Sequence, residues 1–207
     1  MKNLKEIWVC GLGLLLVSLP CSAARVQTSE AERDAAAAKA SIAALSDAER
    51  AELKAFSDRV KAYVKMEKNL PADKLSPTAN VDQLAQERQT LRDALQQARS
   101  NAKQGDLFTP ETAAVFRKLL RSTLTGPSGP KIRASLNHAE PIGPQDLKVN
   151  GVYPNLSGQP MQSVPATLLL NLPVLPKGLE YRISGHTLTL RDADANMVVD
   201  ILPDALP

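Results

Sequence analysis

Cysteine is almost missing from the 207-residue chain, and its two examples, Cys10 and Cys21, both lie near the N-terminus. Everything downstream lacks a thiol, which excludes a disulfide, a thiolate metal site and a cysteine nucleophile there. Aromatic residues are only 3% of the chain. Past the first residues they reduce to Phe56, Tyr63, Phe108, Phe116, Tyr153 and Tyr181, too few for a large aromatic-lined ligand pocket, so the core must draw on Leu, Val and Ala. Charge of one sign is also lacking: 25 basic residues against 22 acidic leave no electrostatic footprint for nucleic acid. The two histidines, His138 and His186, match no metal-ligand spacing. No Gly-x-Ser-x-Gly elbow, no phosphate-binding loop and no Ser-x-x-Lys motif with partner motifs is present. These absences predict a protein that is not an enzyme and carries no cofactor.

Long hydrophobic runs are lacking too, except at the start. Lys2 and Lys5 precede an apolar run from Ile7 to Leu19, followed by the small residues Cys21-Ser22-Ala23. This is the layout of a secretory signal peptide, and the run is too short to span a bilayer, which needs about 20 residues. A cut after Ala23 is expected, giving a periplasmic or secreted product with no stable membrane insertion. Residues 1–23 are thus assigned to the signal, 24–125 to a helical region, 126–147 to a Pro/Gly-rich linker, and 148–207 to an irregular segment followed by β structure.

The helical region is written in caps and stripes. Ser29 with Glu32 forms a capping-box pattern ahead of an Ala-rich run, which predicts a helix of strong propensity and weak docking. A second box, Ser46 with Glu49, opens an amphipathic helix carrying Leu53, Phe56, Val60 and Tyr63, and ending before Pro71. Asn80 caps a third, with Leu84, Arg88, Leu91, Leu95 and Ala98 on one face and an expected end near Lys103. Thr109, Pro110 and Glu111 open a fourth, whose inner face is Ala113, Phe116, Leu119, Leu120 and Leu124. The second and third helices fit an antiparallel helical hairpin or short coiled coil, which the fourth closes into a small bundle. Prolines then keep the chain mostly irregular as far as residue 178, apart from a helical turn in "ATLLLNL".

The C-terminal stretch "LEYRISGHTLTLRDADANMVVDIL" alternates apolar and polar residues and predicts a three-stranded antiparallel meander, so the fold class is α+β. A turn at Gly185-His186 pairs Ile183 with Leu188 and Tyr181 with Leu190. For the second turn, a loop of Asp192 to Ala195 pairs Leu190 with Met197 and Leu188 with Val199, and keeps Asp200 out of the core, where an unpaired carboxylate is costly. Asp192, Asp194 and Asn196 sit where a calcium loop begins. Met197 replaces its glycine and Pro203 its bidentate glutamate, so a turn is the better reading and a weak metal contact the alternative. Three short strands cannot stand alone in water. They must pack on the helices, on the proline-rich stretch or on a partner, and their apolar face, Tyr181, Ile183, Leu188, Leu190, Val199 and Ile201, is the candidate contact surface for a protein partner in the cell envelope.

"GDLFTPETAAVFRKLLR" combined with "LPVLPKGLEYRISGHTLTLRDADANMVVDILPDAL" resembles a family of uncharacterised exported bacterial proteins, which implies location and no particular activity. The closing hairpin is similar to that of small periplasmic nickel/cobalt homeostasis proteins, and this likeness carries no ligand residue onto the chain. The resulting expectation is a non-enzymatic interaction, adaptor or chaperone-like envelope module, with a metal or calcium sensor as the alternative.

Overall fold

A computed structural model describes residues 22–71, 80–137, 142–154 and 164–207. The expected signal segment falls almost wholly outside these, as does His138. Among the described residues six α-helices and one sheet form an α+β fold: α1 (Ser22–Ala43), α2 (Asp47–Lys68), α3 (Val81–Ala98), α4 (Pro110–Thr125), α5 (Gly129–Leu136), α6 (Ala166–Leu169), β1 (Leu179–Ser184), β2 (Thr187–Asp192) and β3 (Met197–Leu202). No helix among the described residues is long and apolar enough to cross a membrane.

Local chemistry sets most helix starts. Ser46 and Glu49 form the reciprocal capping box of α2, Asn80 accepts the Gln83 amide at the start of α3, and Thr109 accepts the Thr112 amide one residue before Pro110. The helix α1 differs, because it already runs from Ser22 and Ser29 lies inside it instead of capping it. It is also better docked than its alanines suggest. It packs on α4 and α6, and the anchors are polar: Ser128 donates to Asp34 at 2.5 Å, and Ser41 meets Ser122 at 2.5 Å.

The hub is α4, packed against α1, α2, α5 and α6. Its buried face carries the five apolar residues expected from the periodicity. At its centre the rings of Phe56, Phe108 and Phe116 cluster with centroids 4.9 to 5.3 Å apart, and Phe116 reaches Tyr181 of the sheet at 6.2 Å. The two helices α2 and α3 share one core, to which the first brings Phe56, Val60 and Tyr63 and the second Leu91 and Leu95. While α2 lies along α4, α3 is held at the sheet, where Arg92 donates to the Ala195 carbonyl and Arg99 to the Val199 carbonyl. The end of α3 at Ala98 comes earlier than Lys103, and Arg99, stacked 5.1 Å over the Tyr63 ring, makes the turn.

The stretch expected to be a linker holds a helix of its own, α5, folded back on α4. Gly129 permits the corner: a Cβ there would lie 2.0 Å from the Leu124 carbonyl oxygen. A low-propensity composition thus encodes a tight corner. Residues 142–153 then run over the sheet, where Ile142, Leu147 and Tyr153 cover Val198 and Ile201.

The sheet has the order β1-β2-β3, both pairs antiparallel. The first hairpin has the expected register, with Tyr181 opposite Leu190 and Ile183 opposite Leu188. Gly185, at φ +56°, supplies the left-handed residue that its two-residue turn requires. In the second hairpin the expected register is wrong. The loop is Ala193 to Asn196, Asp192 faces Met197, and a bulge at Leu190/Arg191 then brings Leu190 opposite Asp200 and Leu188 opposite Leu202. The carboxylate that was expected to avoid the interior is fully buried. It is not unpaired, however: Asp200 accepts the amides of Gly105 at 2.9 Å and of Leu107 and Phe108 at 2.7 Å each. One carboxylate therefore organises the whole α3–α4 loop, and the bulge in β3 aims it there.

Candidate functional site

All six residues offered as a partner surface, Tyr181, Ile183, Leu188, Leu190, Val199 and Ile201, are buried within the chain itself. The first five join the core under the helices, whereas Ile201 lies in the second cluster under residues 142–153. Both sheet faces are thus covered by the chain's own layers, so of the packing alternatives open to the meander it takes the helices and the stretch at 142–153, and these six residues are not a free contact surface.

The acidic turn uses its oxygens internally. The Asp192 carboxylate accepts the Ala195 amide at 2.8 Å and the Tyr63 hydroxyl at 2.7 Å, while Asn196, at φ +50°, accepts the Arg191 guanidinium through its side-chain oxygen. This is the local side chain-to-backbone bonding of an Asx turn, tied to α2 by a long-range hydrogen bond. Asp194 lies against Gly178, and the described residues contain no group of three His, Asp or Glu side chains arranged to hold a metal ion. Burial raises the Asp192 carboxyl above the usual carboxylate range, against the pull of the Ala195 amide and the Tyr63 hydroxyl. Nearby Glu67, half-buried at the end of α2, is pushed up to about 7 by burial and then by the charges of Asp192 and Asp194. His186 is exposed in the first turn, and its Nδ1 lies 3.1 Å from the Leu206 carbonyl oxygen. The acidic turn and His186 both serve as structural fasteners.

A polar cluster that sequence reading passed over lies between α1 and α5. Ser128 and Lys131 have Ser-x-x-Lys spacing at the α5 N-terminus and line a groove of about 400 Å³ with Glu30 and Asp34. Its chemistry is already satisfied. Ser128 donates to the Asp34 carboxylate, and the Lys131 ammonium is ion-paired with Glu30 at 2.6 Å. The Asp34 carboxylate thus holds the Ser128 hydroxyl as the clamp that docks α1.

The remaining surface of interest is the outer edge of β1. The two edges of the sheet are treated differently. The edge of β3 is paired: Asn150 donates to the Val198 carbonyl, Val198 to that of Gly151, and Tyr153 to that of Asn196. Along β1 the two-residue turn makes Ser184, Arg182 and Glu180 the residues hydrogen-bonded to β2, so Tyr181 and Ile183 direct their amides and carbonyls outward. Among the described residues no backbone group pairs with those of Tyr181 or Ile183. Leu179, Tyr181 and Ile183 are themselves buried, at 8%, 7% and 5% exposure, no more open than Ile201 of β3 at 9%.

Beside this edge lies a groove of about 410 Å³, lined by Leu169, Leu172, Pro173, Val174, Leu175 and Tyr181 together with Glu180 and the buried Arg182. The Tyr181 hydroxyl donates to the Pro173 carbonyl at 3.0 Å and fixes one side. Val174 is 95% exposed and Leu170 46% exposed. Isolated apolar residues on a surface are ordinary, but here they stand next to a strand edge that has no backbone partner among the described residues and carries neither proline nor lysine, the usual protections. The only sequence signal for this site was the run of prolines that keeps residues 173–176 irregular.

In comparisons with known proteins, no family model, curated protein or solved structure matches the chain.

Proposed function

We propose that this chain is an exported, non-enzymatic protein of the bacterial envelope that acts through protein contacts, as an interaction or adaptor module. The contact surface is the outer edge of β1 with its neighbouring groove. The observation that supports this reading is a strand edge with no backbone partner among the described residues beside apolar side chains left in water, Val174 above all. Strand addition to such an edge obtains affinity from main-chain hydrogen bonds and selectivity from alternate side-chain pockets. Export is supported by the N-terminal arrangement of Lys2, Lys5, an apolar run and small residues.

The test is site-specific photocrosslinking in the producing cell. A photoreactive residue at position 174 is expected to yield a discrete adduct, while one at Val81, which is also exposed but distant in the fold, yields none. Absence of any adduct at 174 would sink the reading.

A further inference from the structure

Next to the Ser128–Asp34 clamp lies a recess between α1, α4 and α6, and we infer that it receives the ammonium head of a small primary amine whose body lies in the groove of Glu30, Ser128 and Lys131. The recess measures about 10 Å³, room for one water-sized group. Asp34 and Thr167 line both it and the groove of about 400 Å³, so the two meet at these residues. Neither shares a residue with the groove beside the β1 edge, so this ligand site stands independently of the proposed protein contact.

The occupant follows from where the hydrogens are. Asn171 lines the recess at 3% exposure, and its side-chain oxygen accepts no hydrogen bond. Its amide hydrogens are taken by Thr123 Oγ1 at 2.6 Å and, more weakly, by the Leu119 carbonyl at 3.4 Å. Thr123 donates its hydroxyl to that same carbonyl at 3.1 Å. Ser41 donates to the Ala37 carbonyl at 2.9 Å, which leaves Ser122 as the donor in the 2.5 Å contact between the two serines. A hydroxyl carries one hydrogen, so these four side chains have none left for the recess, while their oxygens keep lone pairs. Asp34, 7% exposed, adds a carboxylate whose hydrogen bonds among the described residues come from Ser128, through its amide at 3.2 Å and its hydroxyl at 2.5 Å, so part of its acceptor capacity stays open. The Lys131 ammonium of the groove is held by Glu30 at 2.6 Å. Acceptors around a buried negative charge fit a cation that brings hydrogens. An ammonium has three donors and no acceptor, whereas water arrives with lone pairs for which these four side chains offer no hydrogen. A buried charge is costly unless it is paired, and the ammonium supplies the opposite one. Ala31, Ile132 and Pro165 give the groove an apolar wall for an alkyl body.

The experiment is thermal unfolding of the protein purified as the cell produces it, titrated at matched ionic strength with butylammonium, butanol, tetramethylammonium or sodium chloride. Butylammonium at ten times its dissociation constant is expected to raise Tm by about 3–6 °C. Butanol keeps the body without the charge, tetramethylammonium keeps the charge without a donor, and sodium is a cation with no body; none of the three is expected to match that rise. Asn171→Leu removes the open acceptor at similar volume and is expected to abolish the response to butylammonium. Ser122→Ala, at a half-buried position, is expected to weaken binding about tenfold. A shift from tetramethylammonium, butanol or sodium chloride equal to that from butylammonium overturns the assignment, and so does the absence of a shift with any probe. An Asn171→Leu protein that responds like the unaltered one overturns it as well. The probe series needs only the unaltered protein, so it decides the question even if Asn171→Leu does not fold. A photocrosslink from position 174 is unaffected by each of these outcomes, which keeps the two sites separately testable.

Discussion

Replacing Asp200 by Ala removes the acceptor for three amides of the α3–α4 loop at once, besides that of the adjacent Ile201. Those of Leu107 and Phe108 are buried and that of Gly105 is partly so. A buried donor left unsatisfied costs about 1–3 kcal/mol. The two buried amides therefore set a loss of about 2–6 kcal/mol, with less from Gly105 because water can reach it. Against a typical domain stability of about 5–15 kcal/mol, this is a large fraction of the total. Asp200→Asn is expected to retain part of the loss, because its amide keeps one acceptor oxygen but turns a donor toward donors. Urea unfolding followed by circular dichroism measures both, with Asp58→Ala on the exposed side of α2 as the control. Surface changes of that kind are expected to stay within about 0.5 kcal/mol. Hydrogen exchange adds a local reading: the Leu107 and Phe108 amides should lose protection in Asp200→Ala before the rest of the core does. A loss below about 1 kcal/mol in Asp200→Ala, smaller than the lower bound for the two buried amides, would refute the account of why the second hairpin takes its register.

Phe116→Ala empties the centre of the aromatic cluster that joins α2, α4 and β1, and should cost about 3–5 kcal/mol by chemical denaturation. Tyr63→Phe leaves the Asp192 carboxylate without its buried hydroxyl donor, with an expected loss of about 1–3 kcal/mol in the same assay; an unchanged midpoint would show that the α2–sheet hydrogen bond contributes nothing. Glu67 gives a pH dependence. Its folded-state value, about 7, lies above the ordinary 4.5, so the folded chain binds the proton more tightly. Its contribution to stability is fully present below pH 4.5 and is lost as pH rises through about 7. Discounted for its half-exposed position, the effect is about 1 kcal/mol. Glu67→Gln should flatten the melting temperature between these limits, leaving what Asp192 adds in the same direction, and parallel pH profiles for the two proteins would contradict it.

What could be read from the sequence was local. Ser46 with Glu49, Asn80, and Thr109 before Pro110 announced three helix starts, because a cap is completed within one turn of chain. The stripe from Ala113 to Leu124 named the inner face of α4 for the same reason, and Gly185 set the first hairpin because a two-residue turn leaves one register. Tertiary structure decided the rest. The register of the second hairpin depended on donors at residues 105–108, far from Asp200 along the chain, so the cost assigned to a buried carboxylate was right for an unpaired one and did not apply. The corner at Gly129 read as a linker because composition does not report close backbone approach. The docking of α1 escaped a search for apolar stripes because its anchors are Asp34 and Ser41. The candidate site was the least legible. Period-two alternation tells which residues alternate between two faces, whereas which edge is covered was decided by residues 150–153, which pair with β3.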